Sequence, residues 1–309
     1  QNKAFALTLA ENELTFIEKH HIKALTFFDE NYPKRLTHCE DGPLVIFAKG
    51  EFNFNAPKII SIVGTRNATE YGKDFCEKLI ADLAPHRPLI LSGLAFGIDI
   101  CAHKAAIKNN LPTVAALAHG LDRIYPSTHT STAKQMLENG GLVSDFRSGT
   151  NPDRENFPKR NRLVAGIADV TIVIESSNKG GSLITAELAN SYSRDVFALP
   201  GRVTDIQSEG CNALIKSNRA HLLQSVKDLE YIMGWKIEEA NKPNQTKLFV
   251  DLTAEEKLLV DVLNQQEKTN IDDLALLAKL PMSKTASLLL EMEFKNVVKS
   301  LPGKMYKLV

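Results

Sequence analysis

A disulfide framework, a zinc-ligand pattern, a membrane span and an overall charge are all missing from this 309-residue chain. Its four cysteines (Cys39, Cys76, Cys101 and Cys211) form no CxxC pair and have no His at zinc-ligand spacing, which suits a reducing cytoplasm. No apolar run reaches the roughly 18 residues that a membrane helix needs, and the N-terminus lacks a signal-peptide pattern, so no membrane partner is expected. Lys plus Arg equals Asp plus Glu at 37 each. Attraction to a polyanion must therefore come from a local patch. Aromatic residues are also scarce, at 7%, which makes an aromatic ring set among cations stand out.

What is present is a repeated β-α pattern. Continuous Val- and Ile-rich runs at 59–64, 88–93, 113–120, 141–146, 169–175 and 195–201 read as strands buried on both faces. Between and after them, 71–84, 97–109, 128–138, 159–168, 182–193 and 225–234 carry apolar residues at helical spacing, predicting right-handed crossovers. The expected fold class is α/β: an extended Rossmann-like, doubly wound, mainly parallel sheet across 58–236. Residues 1–57, with a short helix near Glu11 to His20 and a strand at LVIFAKG, should extend the sheet or its edge. The start at Gln1 rather than Met fits the removal of a longer N-terminal region, and processing or the choice of numbering would produce the same start. Polar residues 237–251 read as a linker. From 252 to 309 the order helix, helix, turn, helix and two short β pieces describes a small winged-helix domain, with Asp251, Thr253 and Ser283 available as caps.

Four segments fall where strands end and ligand groups gather in such sheets. VGTR supplies Gly64, Thr65 and Arg66, a sharp turn bearing a hydroxyl and a forked cation suited to phosphate. SGLAFGID brings Gly93 and Gly97 into a turn opening a helix, whose amides favour an anion. Within it, Asp99 and His103 could be an acid-base pair; a helix-start acid bonded to a structural His is the simpler expectation. In KGGS, Lys179 stands at the rim and Gly180 and Gly181 precede Ser182, a candidate helix cap. FPKRNR sets Phe157 beside Lys159, Arg160, Asn161 and Arg162. Cations oppose the dipole at a helix start, so an anion is the expected ligand, and Phe157, just outside the helix, can stack on a base. The bland alternative is a hydrophobic staple beside a solvated basic face. Neither GxGxxG nor a P-loop lysine is present, so no nucleotide cofactor is expected.

VGTRNATEYG, LSGLAFGIDICAH, HGLDRIYP, FPKRNRLVAGIADVTIVIE, GGSLITAELA, VFALPG and GCNALI stand in an order that closely resembles the DNA processing protein A family, also called Smf. The resemblance spans about Tyr32 to Leu223. It implies a domain that binds single-stranded DNA, forms homodimers, loads the RecA recombinase during natural transformation and is not an enzyme. The family's Gly-hydroxyl-Arg turn falls on Gly64, Thr65 and Arg66, its stacking aromatic on Phe157, its Arg-Asn-Arg element on Arg160, Asn161 and Arg162, and its loop Lys on Lys179. This chain departs from many relatives in having Phe96 where they carry Arg and Gly180 where they carry Ser. The N-terminal helical domain that relatives often carry is not expected here.

Two other functions compete. A phosphoribohydrolase of the lysine-decarboxylase-like type uses GGxGTxxE. Here Gly180, Gly181 and Glu187 match, but Leu183 and Ile184 occupy the Gly and Thr positions. A duplex-DNA regulator would act through the winged helix. Across 251–309, however, nine acids face eight Lys and no Arg, and SKTASLLLEMEF lacks the Arg, Asn and Gln that read base edges.

Overall fold

Each central strand splits its apolar residues between two faces. Ile59 and Val63 point into one cluster while Ile60 and Ile62 point into another, and all four are buried. The computed structural model describes residues 2–236, 252–265, 268–295, 297–301 and 305–308. They divide into two units, Gln1–Glu238 and Glu239–Val309.

In the first unit, strands β1 (Lys23–Thr26), β2 (Val45–Glu51), β3 (Ile59–Gly64), β4 (Leu89–Ser92), β5 (Thr113–Ala116), β6 (Gly140–Ser144), β7 (Val170–Ile174), β8 (Asp195–Ala198) and β9 (His221–Leu222) form one sheet. Its order is β1-β2-β6-β5-β4-β3-β7-β8-β9. Strands β6 to β9 in that order run parallel, and β2 adds antiparallel to β6 and β1 antiparallel to β2. The helices are α1 (Asn2–Lys19), α2 (Glu70–Leu83), α3 (Ile98–Lys108), α4 (Thr130–Met136), α5 (Asn156–Ile167), α6 (Gly181–Ser191), α7 (Glu209–Lys216) and α8 (Val226–Met233). Leu163, Ala186 and Leu214 bring α5, α6 and α7 onto one face of the sheet. Leu79, Ile98 and Leu229 bring α2, α3 and α8 onto the other. This is the expected doubly wound α/β architecture. The chain leaves β3 toward β4 and returns to β7 on the other flank, so a crevice opens above the carboxyl ends of β3 and β7.

The N-terminal helix is longer than its sequence pattern. It starts at Asn2 rather than near Glu11, because only Phe16 and Ile17 pack on the core while Phe5 and Leu7 are exposed and leave no periodic signal. β1 and β9 are edge strands of four and two residues, too short to show alternation.

The second unit contains α9 (Ala254–Gln265), β10 (Thr269–Asn270), α10 (Ile271–Leu277), α11 (Met282–Phe294), β11 (Val298–Leu301) and β12 (Met305–Leu308), with a small antiparallel sheet ordered β10-β12-β11. Leu259, Leu274, Leu289, Met292 and Val298 build its core. It is a winged helix. Thr253 and Glu256 form the reciprocal capping box of α9: the Glu256 amide donates to Thr253 Oγ1 at 3.3 Å, and the Thr253 amide donates to Glu256 Oε2 at 2.8 Å. Ser283 is no cap, since α11 begins at Met282 after Pro281. The expected linker at 237–251, including Asp251, lies outside the described residues.

Candidate nucleic-acid interface

A cavity of about 780 Å³ opens above the crevice between β3 and β7. Its walls come from the turns after β3, β4 and β7 and from the first turns of α5 and α6. A larger concavity of about 970 Å³ lies beside it, around Tyr71, Glu175 and Arg202. We place the site in the smaller one, where the glycine turns, the uncapped helix starts and the aromatic-cation pair meet.

The floor holds two buried, opposite charges that flank Gly93. Arg160 and Asp99 are only 5% and 6% exposed. Arg160 Nη1 donates to the Gly93 carbonyl at 2.7 Å and to the Ala116 carbonyl, tying the ends of β4 and β5 together. Asp99 Oδ2 accepts the amides of Gly93 at 3.2 Å and Ala95 at 3.4 Å. Burial pushes the Asp99 carboxyl up, and Arg160 and the two amides work against that push. Burial likewise pulls Arg160 down, with Asp99 opposing. Gly93 leaves room for both charges: a Cβ there would sit 2.5 Å from both terminal guanidinium nitrogens and 2.6 Å from Asp99 Oδ2 and would push them aside. Gly97, at φ 78°, turns the chain into α3, and a Cβ there would collide with the Thr65 carbonyl.

This arrangement corrects one sequence expectation. The amides of the SGLAFGID turn are not open to an outside anion: Gly93 and Ala95 serve Asp99, and the Ile98 amide donates to Thr65 O at 3.2 Å. Asp99 and His103 do not pair. His103 Nδ1 meets Thr113 Oγ1 at 2.7 Å, and Thr113 in turn donates to Ile90 O at 3.1 Å. Thr113 therefore accepts from an Nδ1–H, leaving the partnerless, buried Nε2 as a bare lone pair. Burial, with His129 and Arg160 adding, lowers the His103 pKa to about 3.

The start of α6 is the open donor group. Its N-cap Gly180 provides no side-chain cap and gives its own amide to the Ser177 carbonyl at 3.0 Å, so the donors left at the cavity are the amides of Gly181 and Ser182. Ser182 does not cap the helix; it lies inside the first turn and donates to Ser176 Oγ at 2.9 Å. Opposite, the Arg66 guanidinium lies over the Phe157 ring at 5.4 Å, and the Tyr125 ring stands 6.1 Å from that of Phe157. A helix start, an exposed cation and an aromatic pair thus share one opening.

The sequence of this unit matches the family described as DNA recombination-mediator protein A over residues 23–233, and residues 243–304 match the DprA winged helix domain. The chain belongs to the DNA processing protein A (DprA/Smf) family. It is 32% identical to protein Smf of Escherichia coli over 95% of this chain and 79% of that one. It is 36% identical to DprA of Streptococcus pneumoniae over 67% of this chain and 72% of that one. The solved structure of the pneumococcal protein superposes with a TM-score of 0.65 at 34% identity, covering 70% of this chain and 77% of that one. A structure concerned with the single-stranded DNA binding mode of DprA from Helicobacter pylori gives 0.62 at 30% identity, covering 69% of this chain and 95% of that one.

Within this DprA-type site, ten of the residues expected from sequence line the cavity: Gly64, Thr65, Arg66, Gly93, Phe157, Arg160, Asn161, Gly180, Gly181 and Ser182. Three do not. Arg162 turns away to Asp145, at 2.5 Å, and to the Asp41 carbonyl at 2.7 Å. Lys159 is exposed, 3.8 Å from Glu155, and Lys179 is exposed beyond the lining residues. Phe157 sits in the first turn of α5, not outside it. Tyr125 and Arg154 line the cavity without having been singled out. Tyr125 lies within the HGLDRIYP segment, so only its pairing with Phe157 across the fold shows its place. Phe96, at the relatives' Arg position, packs edge-on against His129 with centroids 4.9 Å apart.

His103 gives a test of the buried floor. Its folded pKa of about 3 lies below the ordinary 6.5, so between those values the unfolded chain binds the extra proton. Its contribution is complete above pH 6.5 and declines as pH falls toward 3. Urea unfolding from pH 7 to pH 4 should show a slope of up to about 1.4 kcal/mol per pH unit from this group. The slope should flatten in His103→Gln.

Proposed function

We propose that this DprA homologue binds single-stranded DNA in the 780 Å³ cavity without chemically altering it. The observation that carries the reading is the meeting of Arg66 and Phe157 with the uncapped start of α6. One wall offers amide donors for phosphate, and the other offers the Arg66 cation together with the Phe157 ring for a base. The H. pylori relative's single-strand binding supports it. As the family resemblance implies, the same chain would act as a homodimer that protects incoming DNA and delivers it to RecA during natural transformation.

Hydrolysis of a nucleotide is a poorer fit. Glu187, the acid of the phosphoribohydrolase pattern, points to Arg219 at 3.5 Å and is not among the cavity residues. The winged helix gives a duplex reader little to use, since Lys284, the one cation of α11, pairs with Glu255 at 3.1 Å. Met282, Leu290 and Phe294 of α11 are exposed, a surface suited to protein contact.

Fluorescence anisotropy with labelled oligothymidine tests the reading. Phe157→Ala should weaken binding by about 1–3 kcal/mol, roughly 5- to 150-fold, with the salt slope unchanged. Release of free base from nucleoside monophosphates, with no oligonucleotide binding, would contradict it.

A further inference from the structure

Cys76 of α2 and Cys101 of α3 meet in the apolar cluster between those helices. Cys101 Sγ donates to the Lys73 carbonyl at 3.7 Å. Lys73 stands three residues before Cys76, one turn away on the same face of α2. Helical side chains lean toward the N-terminus, which lays the Cys76 thiol over that same turn, beside the Cys101 sulfur. Ala102 and Ala105 lie in the same cluster and let the helices approach closely. Helix axes 8–10 Å apart, each with Cα atoms at 2.3 Å radius, leave about 3–5 Å between facing Cα atoms, overlapping the disulfide range.

We propose that Cys76 and Cys101 are a redox site that a peroxide converts into a reversible disulfide clasping α2 to α3. The Cys101 thiolate attacks one peroxide oxygen. The S–O bond forms, the O–O bond breaks, and hydroxide leaves, taking a proton to become water; the sulfur is oxidised to sulfenic acid and the peroxide is reduced. Cys76 then attacks the Cys101 sulfur, the S–S bond forms, the S–OH bond breaks, and the departing hydroxide takes the Cys76 proton to become a second water. Two thiols and one peroxide thus give one disulfide and two waters.

The chemistry of the four thiols singles out this pair. Cys101 is partly exposed, and its thiol is held below the ordinary range by donation from Cys76, helped by Lys73 and Lys104 against burial and Glu77. Cys39 and Cys211 are buried free thiols that burial pushes up, Cys211 to about 12. They lack the thiolate character that attack on a peroxide needs; Cys76 is also pushed up, by its contact with Cys101 and by burial, and serves only as the resolving thiol. Sequence spacing hides the pair because the partners lie on different helices. The clasp sits behind the binding cavity, since α2 follows the Thr65–Arg66 turn and α3 follows the Gly93–Gly97 turn. It does not depend on what the cavity binds.

The test is hydrogen peroxide treatment of the full chain, followed by thiol alkylation, intact mass and peptide mapping. The expected result is the loss of two of the four thiols, a mass lower by two hydrogens, a Cys76–Cys101 linked peptide that dithiothreitol reverses, and a Tm higher by roughly 5–10 °C. In Cys76→Ser, a sulfenic acid at Cys101 should be trapped by dimedone; in Cys101→Ser, Cys76 should remain a thiol. Four intact thiols after treatment, or Cys101 advancing to sulfinic acid in the unsubstituted chain while Cys76 stays free, would overturn the proposal.

Discussion

Arg160→Ala should destabilise the Rossmann-like unit by roughly 3–5 kcal/mol, because it removes the opposite charge near the buried Asp99 and the donor to two buried carbonyls. Arg160 is 5% exposed and its guanidinium joins Gly93 O to Ala116 O, so the carbonyls at the ends of β4 and β5 lose their donor together. Urea denaturation should show the drop as a lower midpoint. Lys159→Ala, one residue away, should change stability by less than about 0.5 kcal/mol, since Lys159 is exposed and its Glu155 partner lies 3.8 Å off. If both variants behaved alike, the buried pair would not be the floor of the site.

Arg66→Glu should weaken oligothymidine binding by roughly 10- to 150-fold at low salt, the worth of a charge-assisted phosphate bond. Arg66 is exposed at the turn after β3 and has no ion-pair partner among the described residues, so its charge is available to a ligand. Arg66→Ala should remove one phosphate contact and reduce the slope of log affinity against log salt by about 0.7. The fold should survive, because the side chain covers only the Phe157 ring. Titrations at several salt concentrations, with Tm as a folding control, separate this from the Arg160 effect: Arg66 variants lose binding with Tm retained, and Arg160→Ala loses Tm.

Those two arginines also show what the sequence could and could not reveal. The six central parallel strands were legible because strands buried on both faces read as unbroken apolar runs. The runs at 88–93, 113–120, 169–175 and 195–201 outlasted their strands at the carboxyl end, where the cavity turns begin. VGTR and KGGS were legible as glycine-hydroxyl-cation clusters and FPKRNR as a ring among cations, yet the roles of the individual cations in FPKRNR were not. Arg160 shares an i, i+4, i+7 stripe with Val164 and Ile167, both buried. That spacing was the available sign that it faces inward. Arg162 is taken by Asp145, a pairing across 17 residues that no local pattern announces. The SGLAFGID amides likewise read as vacant until the fold showed Asp99 bonded to them, because a helix start that serves its own acid has the same sequence as one that serves a ligand.

The central claim, that an unpaired strand is held by backbone donors and Arg66 while a base stacks at Phe157, makes duplex DNA the decisive competitor, since its bases are already stacked. The direct measurement is competition of unlabelled single-stranded and duplex DNA of equal length against a labelled oligothymidine, at 50 and 200 mM salt. The account predicts that the single strand displaces the probe at lower concentration under both conditions, with affinity falling as salt rises. Equal or better displacement by duplex, or affinity unchanged between the two salts, would contradict it.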